Sequence, residues 1–553
     1  MTELFGFNIL TLLIFAPMIG GVIVLLLPKV DRIARWTALV ISVLVGALAL
    51  TVFNNYVQQP GDFRMVVNTP WFPLLGSSWH LGVDGISAAM ILLTGLLTPL
   101  AVLVSFEQHD RVNTHMALLL LFEGPLFGVF VAQDLLIFFL FYELSLVPMY
   151  FLINQWGGPN RKYASNKFFL YSLGGSLGML LGIQLIGWSV STISADVVES
   201  VRLTSAAALE GYTAGSPSLS IPVLTALFPH LNGPFLGLDA SAVKGLAFLG
   251  FFVAFAIKVP VWPFHTWLPD AHSEAPTAGS MLLAGVMLKL GAYGFLRLVI
   301  PIFPDVWIAP QNILGIQTNW AGIFAFLAML SIVLGAFAAW GQNDIKRLVA
   351  YSSVNHMGFV AIGLAVTAVA YGEMFINGTT PYIQDAIIAT NGAVLQMFNH
   401  GLTSAAMFLL AGAIYHKTHT RDMRQYGGLW VKAPIFGGIF IFTSMASLGL
   451  PGLNGFVSEF LVVRGIWPVF TALTAISMLG LLITGSYILK GIRATLHGPF
   501  NLHWRNYNLE LDVHEIVAIA PLLALILITG LVPNWILSVI NESVTRLLVV
   551  LGG

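Results

Sequence analysis

The sequence contains no cysteine. That excludes a disulfide framework, a cysteine-ligated zinc and an iron–sulfur cluster held by this chain. If the protein takes part in redox chemistry, another chain carries the electrons. Charge is nearly as scarce. The 24 Lys+Arg and 25 Asp+Glu make up 9% of the residues, where a soluble protein carries about 25%. The formal net charge of −1 leaves no basic surplus for nucleic acid. Alternating apolar and polar runs are missing too, which excludes a β-barrel. What is abundant is apolar surface: 57% of the 553 residues are hydrophobic. So few charges cannot cover that in water, and the chain reads as an all-α polytopic membrane protein. The first apolar run, 7–27, has no basic segment before it and no A-x-A site after it. It reads as a first span and not as a cleavable signal.

A bilayer core takes about 20 helical residues. Apolar runs between charged or Pro/Gly-rich breaks give about fourteen spans. They lie near 8–27, 35–56, 83–105, 116–133, 134–154, 168–190, 243–265, 278–300, 318–340, 351–372, 385–415, 434–466, 468–492 and 513–538. Sixteen of the 24 Lys+Arg, from Lys29 and Arg32 to Arg493 and Arg505, fall on one set of alternate loops. That set faces the cytoplasm or matrix, and both termini face the opposite, periplasmic side. Residues 191–242, rich in Ser, Gly, Pro and Ala, read as an irregular outer loop, and 493–512 as an inner linker.

Charge inside the apolar runs needs a reason, because an ionised side chain at mid-bilayer costs about 2.5–3.5 kcal/mol on insertion scales. Glu123, Glu143, Lys258, Lys289, His356, His400 and Glu459 all lie there, each in a different span. One such residue could be a structural bond between helices. A set of acids, lysines and histidines spread over seven spans is what a proton relay requires. The histidines show no HExxH spacing, and HTWLPDAH lacks a known zinc pattern, so metal binding is the weaker reading.

Two spans are interrupted. After Lys258 come Pro260, Pro263, Pro269 and Pro276, which predict freed carbonyls at Ala256 and Val259. Irregular backbone at that depth is tolerated only against protein or water. The second break is Gly449-Leu450-Pro451-Gly452, with Glu459 two turns later. The breaks fall in spans 7 and 12, five apart, as in a transporter built from inverted repeats.

The segments FYELSLVPMYFLINQWGG, AFAIKVPVWPFHTWLPDAHSEAPTAGSMLLAGVMLKLGAYGFLR, NDIKRLVAYSSVNHMGF, HGLTSAAMFLLAGAIYHKTHTRDMRQYGGL and LGLPGLNGFVSEF resemble the antiporter-like membrane subunits of respiratory complex I, NADH:quinone oxidoreductase. The M-type (chain 4) members are nearest, over roughly 81–533. The resemblance implies fourteen helices with two inverted five-helix repeats, spans 4–8 and 9–13. The corresponding segments are 1–110, 111–300, 301–495 and 496–553. It implies that Glu143 and Lys258 form a gating ion pair and that Lys289 is the central lysine. His356 and His400 would lie on the polar axis, with Glu459 as the last relay acid. Glu123 matches a family position too, and Asp84 a structural one. Related subunits carry lysine where Glu459 stands, and the distal subunit adds a long amphipathic C-terminal helix, for which too few residues follow span 14 here.

The function that the resemblance implies is that of a proton-translocating subunit in a bacterial inner membrane. It would hold no cofactor itself, with NADH, FMN, iron–sulfur clusters and quinone in partner subunits. Its neighbours would include L-type and N-type antiporter-like subunits and the lipid bilayer. A multisubunit cation/proton antiporter, a cyanobacterial or plastid-type NAD(P)H dehydrogenase and a plain membrane scaffold are the competing readings.

Overall fold

The computed structural model describes residues 3–4, 7–313 and 315–549. The outermost residues, which bear on the expected sidedness of the termini, lie outside that range. Among the described residues thirteen helices are long and apolar enough to cross a membrane, from Ile9–Leu26 to Val513–Leu531. The expected twelfth span is two shorter helices, Pro434–Leu448 and Asn454–Ile466. The protein is a helical, multi-pass membrane protein.

Short polar side chains fix where spans begin. Asn8, Asp84, Asp134, Asp239, Asn319 and Asp344 each accept a hydrogen bond from a first-turn N–H. Asp512 and Glu515 close a capping box on span 14. These carboxylates and amides satisfy donors that have no partner within the helix. Spans 8 (Thr277–Ile302) and 11 (Ile383–Thr418) form the centre, with 94% and 100% of their most apolar stretches buried. Spans 2 (Asp31–Gln58) and 14 have only 33% buried and turn most of their surface outward. The central site residues therefore hang from helices packed on all sides.

Several local expectations need correction. Span 5 is not continuous: Leu135–Leu144, which carries Glu143, and Leu146–Trp156 meet at Ser145. Pro148 supplies no N–H for the carbonyl four residues back. The Ala256 carbonyl is not freed, because the Val261 N–H donates to it at 2.9 Å. The 191–242 stretch carries helices Ala195–Thr204 and Ile221–Leu227. Span 14 ends at Leu531, before Pro533, and Asn534–Val549 forms a separate amphipathic helix. An antiparallel hairpin, Arg64–Phe72 with Ser77–Val83, fills a region where the sequence predicts no element.

Candidate functional site

Lys258 is the last residue of the Ala240–Lys258 helix and is fully buried. The break after it is held in place by specific donors. The Trp267 indole donates to Ile257 O at 2.9 Å, and the Trp262 N–H donates to Ser331 Oγ at 2.7 Å. The Lys258 ammonium has no hydrogen-bond partner and lies 4.8 Å from the Tyr142 ring centroid. Glu143, next to Tyr142 in sequence, is its electrostatic neighbour. Yet no Glu143–Lys258 ion pair occurs among the described residues, and Glu143 Oε1 has no hydrogen-bond partner. The expected Glu143–Lys258 ion pair is not formed here, and an aromatic ring faces the cation instead.

Span 8 is loosened on both sides of Lys289. Leu283–Met287 and Phe295–Val299 are π-helical turns. Such turns widen a helix and recur at functional sites. The Lys289 ammonium bonds back to Ala284 O within the first of them. It also reaches His400 Nδ1 on span 11 at 2.8 Å. Two glycines permit that reach: a Cβ on Gly401 would lie 2.8 Å from Gly285 O. Lys289 and Lys258 hang from touching helices, since a Cβ on Gly291 would lie 2.9 Å from Lys258 Cβ. Their ammonium groups nonetheless go different ways, one to Tyr142 and the other to His400.

From His400 the polar row continues. Its ring centroid lies 5.7 Å from that of His356 on span 10 (Ile345–Asn377). His356 Nδ1 is 2.7 Å from Glu459 Oε1, and Nε2 is 3.1 Å from Ser447 Oγ. Gln396 donates to the same Glu459 oxygen at 3.1 Å. Glu459 Oε2 has no partner and lies against the break, 3.2 Å from where a Cβ on Gly449 would sit. Gly449 has φ +82°, so the turn that places Glu459 also requires glycine. The structure thus brings Lys289, His400, His356 and Glu459 together. Glu143 with Lys258 stands as a separate pair beside them. Glu123 stands apart, wholly buried on span 4 (Val112–Val131), with both carboxylate oxygens unpartnered.

Sequence reasoning misses several members. His272 reads from the sequence only as a weak metal ligand. It is fully buried, has neither ring nitrogen bonded, and stacks on Phe408 at 4.5 Å. Lys346 reads as a loop charge, but it is buried and donates to Ala275 O at 3.0 Å. Gln396 stands four residues before His400, a same-face spacing that could have marked it. A cavity of about 210 Å³ opens near these groups, lined by Glu107, His115, Glu274, Lys346, Tyr415 and Arg421. Beside it the carboxylates of Glu107, Asp512 and Glu515 converge. Lys417 answers Asp512 and Glu515, at 2.9 and 3.4 Å.

Known proteins share this fold. Residues 132–484 match the family described as NADH:quinone oxidoreductase/Mrp antiporter, TM. A Rhodobacter capsulatus protein named NADH-quinone oxidoreductase subunit M is 35% identical over 547 residues, 98% of this chain and 96% of that one. A chain of respiratory complex I from Thermus thermophilus superposes with a TM-score of 0.77 at 28% identity, covering 98% of this chain and 99% of that one. A chain of the Mrp complex from Dietzia sp. superposes at 0.74 with 18% identity over 98% and 99%, a likeness of fold alone.

Proposed function

The chain belongs to the NADH:quinone oxidoreductase/Mrp antiporter membrane-subunit family, and we propose that it works as the proton-translocating M-type subunit of a NADH:quinone oxidoreductase. The observation that carries this reading is the buried row Lys289–His400–His356–Glu459. Each member can hold or release a proton, and consecutive members lie within hydrogen-bond reach or one water apart.

Protons come in from the Lys/Arg-rich side, where the cavity beside Lys346 and Glu274 lies. They load Lys289, cross through His400 and His356, and leave past Glu459. The drive is electrostatic. A charge change in a neighbouring subunit separates or closes Glu143 and Lys258, and the freed Lys258 cation repels the proton on Lys289. Glu123, buried apart from the row, is a reserve acid. The two breaks fit inverted repeats over spans 4–8 and 9–13, within segments 111–300 and 301–495, flanked by 1–110 and 496–553. NADH, FMN, iron–sulfur clusters and quinone belong to partner subunits, and L-type and N-type subunits lie alongside in the inner membrane. Both termini then face the periplasm.

The test is purification of the native complex, with partner chains identified by mass spectrometry and NADH-driven proton uptake measured in vesicles. Partners bearing iron–sulfur and quinone sites are expected. A complex of membrane subunits alone, exchanging a cation for protons without NADH, would overturn the assignment.

A further inference from the structure

Lys289, Tyr293 and Arg297 are spaced i, i+4 and i+8 on span 8, so they share one face of that helix. Beyond Lys289 that face stays polar. The buried Tyr293 hydroxyl lies 2.9 Å from Ser87 Oγ and donates to Phe130 O at 2.9 Å. The Ser87 N–H donates to Asp84 Oδ1 at 2.9 Å. Two exchangeable hydroxyls, Tyr293 and Ser87, therefore stand one turn beyond Lys289, with Asp84 beside them where span 3 (Gly85–Val104) begins and span 8 nears its end. Opened to water, these groups would offer Lys289 a second outlet toward that side that bypasses His400.

A fixed cation stands beside them. Arg297 is paired with Asp84, with side chains only 11% and 6% exposed. Its guanidinium lies 5.5 Å from the Tyr293 ring centroid and 5.1 Å from that of Phe63. Arginine does not give up its proton in proteins. A fixed arginine charge across a narrow polar path is one means by which pores exclude protons.

We propose that the Asp84–Arg297 pair is an electrostatic barrier that closes the Tyr293–Ser87 branch, so that Lys289 passes its proton only to His400. The proposal rests on the relay reading above. A staple between spans 3 and 8 would use only the geometry of the pair, and those two spans are already joined by the Ser87–Tyr293 hydroxyl contact. Ser543 of the C-terminal helix accepts from the Gly85 N–H at 2.7 Å and meets Tyr56 at 3.0 Å. A barrier uses the permanent charge.

The experiment takes the intact complex in liposomes without electron donor, imposes a pH gradient and follows its decay with an internal pH dye. Arg297→Gln should dissipate the gradient several-fold faster than wild type, Arg297→Lys should stay tight, and adding Tyr293→Phe to Arg297→Gln should restore tightness. Tight Arg297→Gln vesicles, or a leak that survives Tyr293→Phe, would overturn the barrier. Tyr293→Phe alone gives an independent decision that does not need the Arg297 variant to assemble. NADH-driven pumping must remain at wild-type level, and its loss would mean that the branch conducts in normal turnover. Adding Lys289→Met to Arg297→Gln separates the two readings. A leak that persists contradicts Lys289 as the source, whereas no leak in Arg297→Gln contradicts the barrier itself.

Discussion

His356 Nδ1 lies 2.7 Å from Glu459 Oε1, across two helices whose sequences are 103 residues apart at these positions. Gln396 donates to the same oxygen. The imidazole and the amide converge on one carboxylate oxygen, while the other faces the Gly449 turn unpartnered. A glutamine at this position has the same shape and can still accept those bonds, but it cannot carry a proton. A lysine fits the hydrogen bonds less well and can carry one. Glu459→Gln should therefore reduce NADH-driven proton uptake at least about tenfold, a floor below the roughly 10²–10⁴-fold typical of a lost acid–base group. Glu459→Lys should retain more. Equal loss in both, at equal complex content, would make Glu459 structural.

Lys258 is buried and Glu143 half-buried on neighbouring helices, without a closed ion pair. Both groups are costly alone in an apolar setting, so their retention points to a use. Glu143→Ala and Lys258→Ala should each abolish most proton uptake while leaving the amount of assembled complex near wild type. Near-normal uptake in both variants would remove the pair from the mechanism.

The membrane class and most of the spans are legible in the sequence because long apolar runs have one physical solution in a bilayer. Lys289, His356, His400 and Glu459 are legible because each is a lone ionisable group in such a run. Their connections are not. That Lys289 reaches His400 and not Lys258 depends on a π turn at Leu283–Met287 and on the Gly285–Gly401 crossing. Neither has a local sequence signature. The kink at Ser145 is hidden for a different reason: Pro148 lies in an otherwise unbroken apolar run. His272 and Lys346 are misread because helix ends near the membrane surface look polar in sequence, while folding packs them inside.

The crossing itself can be tested. A Cβ on Gly401 would lie 2.6 Å from Leu93 Cδ2 and 2.8 Å from Gly285 O. The second of these is backbone and cannot rotate away. Gly401→Val should cost at least the roughly 1–3 kcal/mol typical of an overpacked core. The expected readout is a lower melting temperature of the purified complex and a loss of proton uptake exceeding the loss of assembled enzyme. An unchanged melting profile would show that spans 8 and 11 do not approach this closely.

His400 lies between Lys289 and His356, the residue that meets Glu459. Its Nδ1 faces the Lys289 ammonium at 2.8 Å, and its Nε2 is buried without a partner. Its ring lies 5.7 Å from the His356 ring, a gap one water can bridge. If the proton crosses here, a side chain of similar size that cannot titrate should stop it. His400→Gln should keep a hydrogen bond to Lys289 and preserve assembly, but reduce proton uptake at least about tenfold. His400→Lys should recover part of that loss by returning a titratable nitrogen. The measurement is the ratio of protons taken up to NADH oxidised, at matched complex content. A wild-type ratio in His400→Gln would mean that the proton passes from Lys289 to Glu459 without this imidazole.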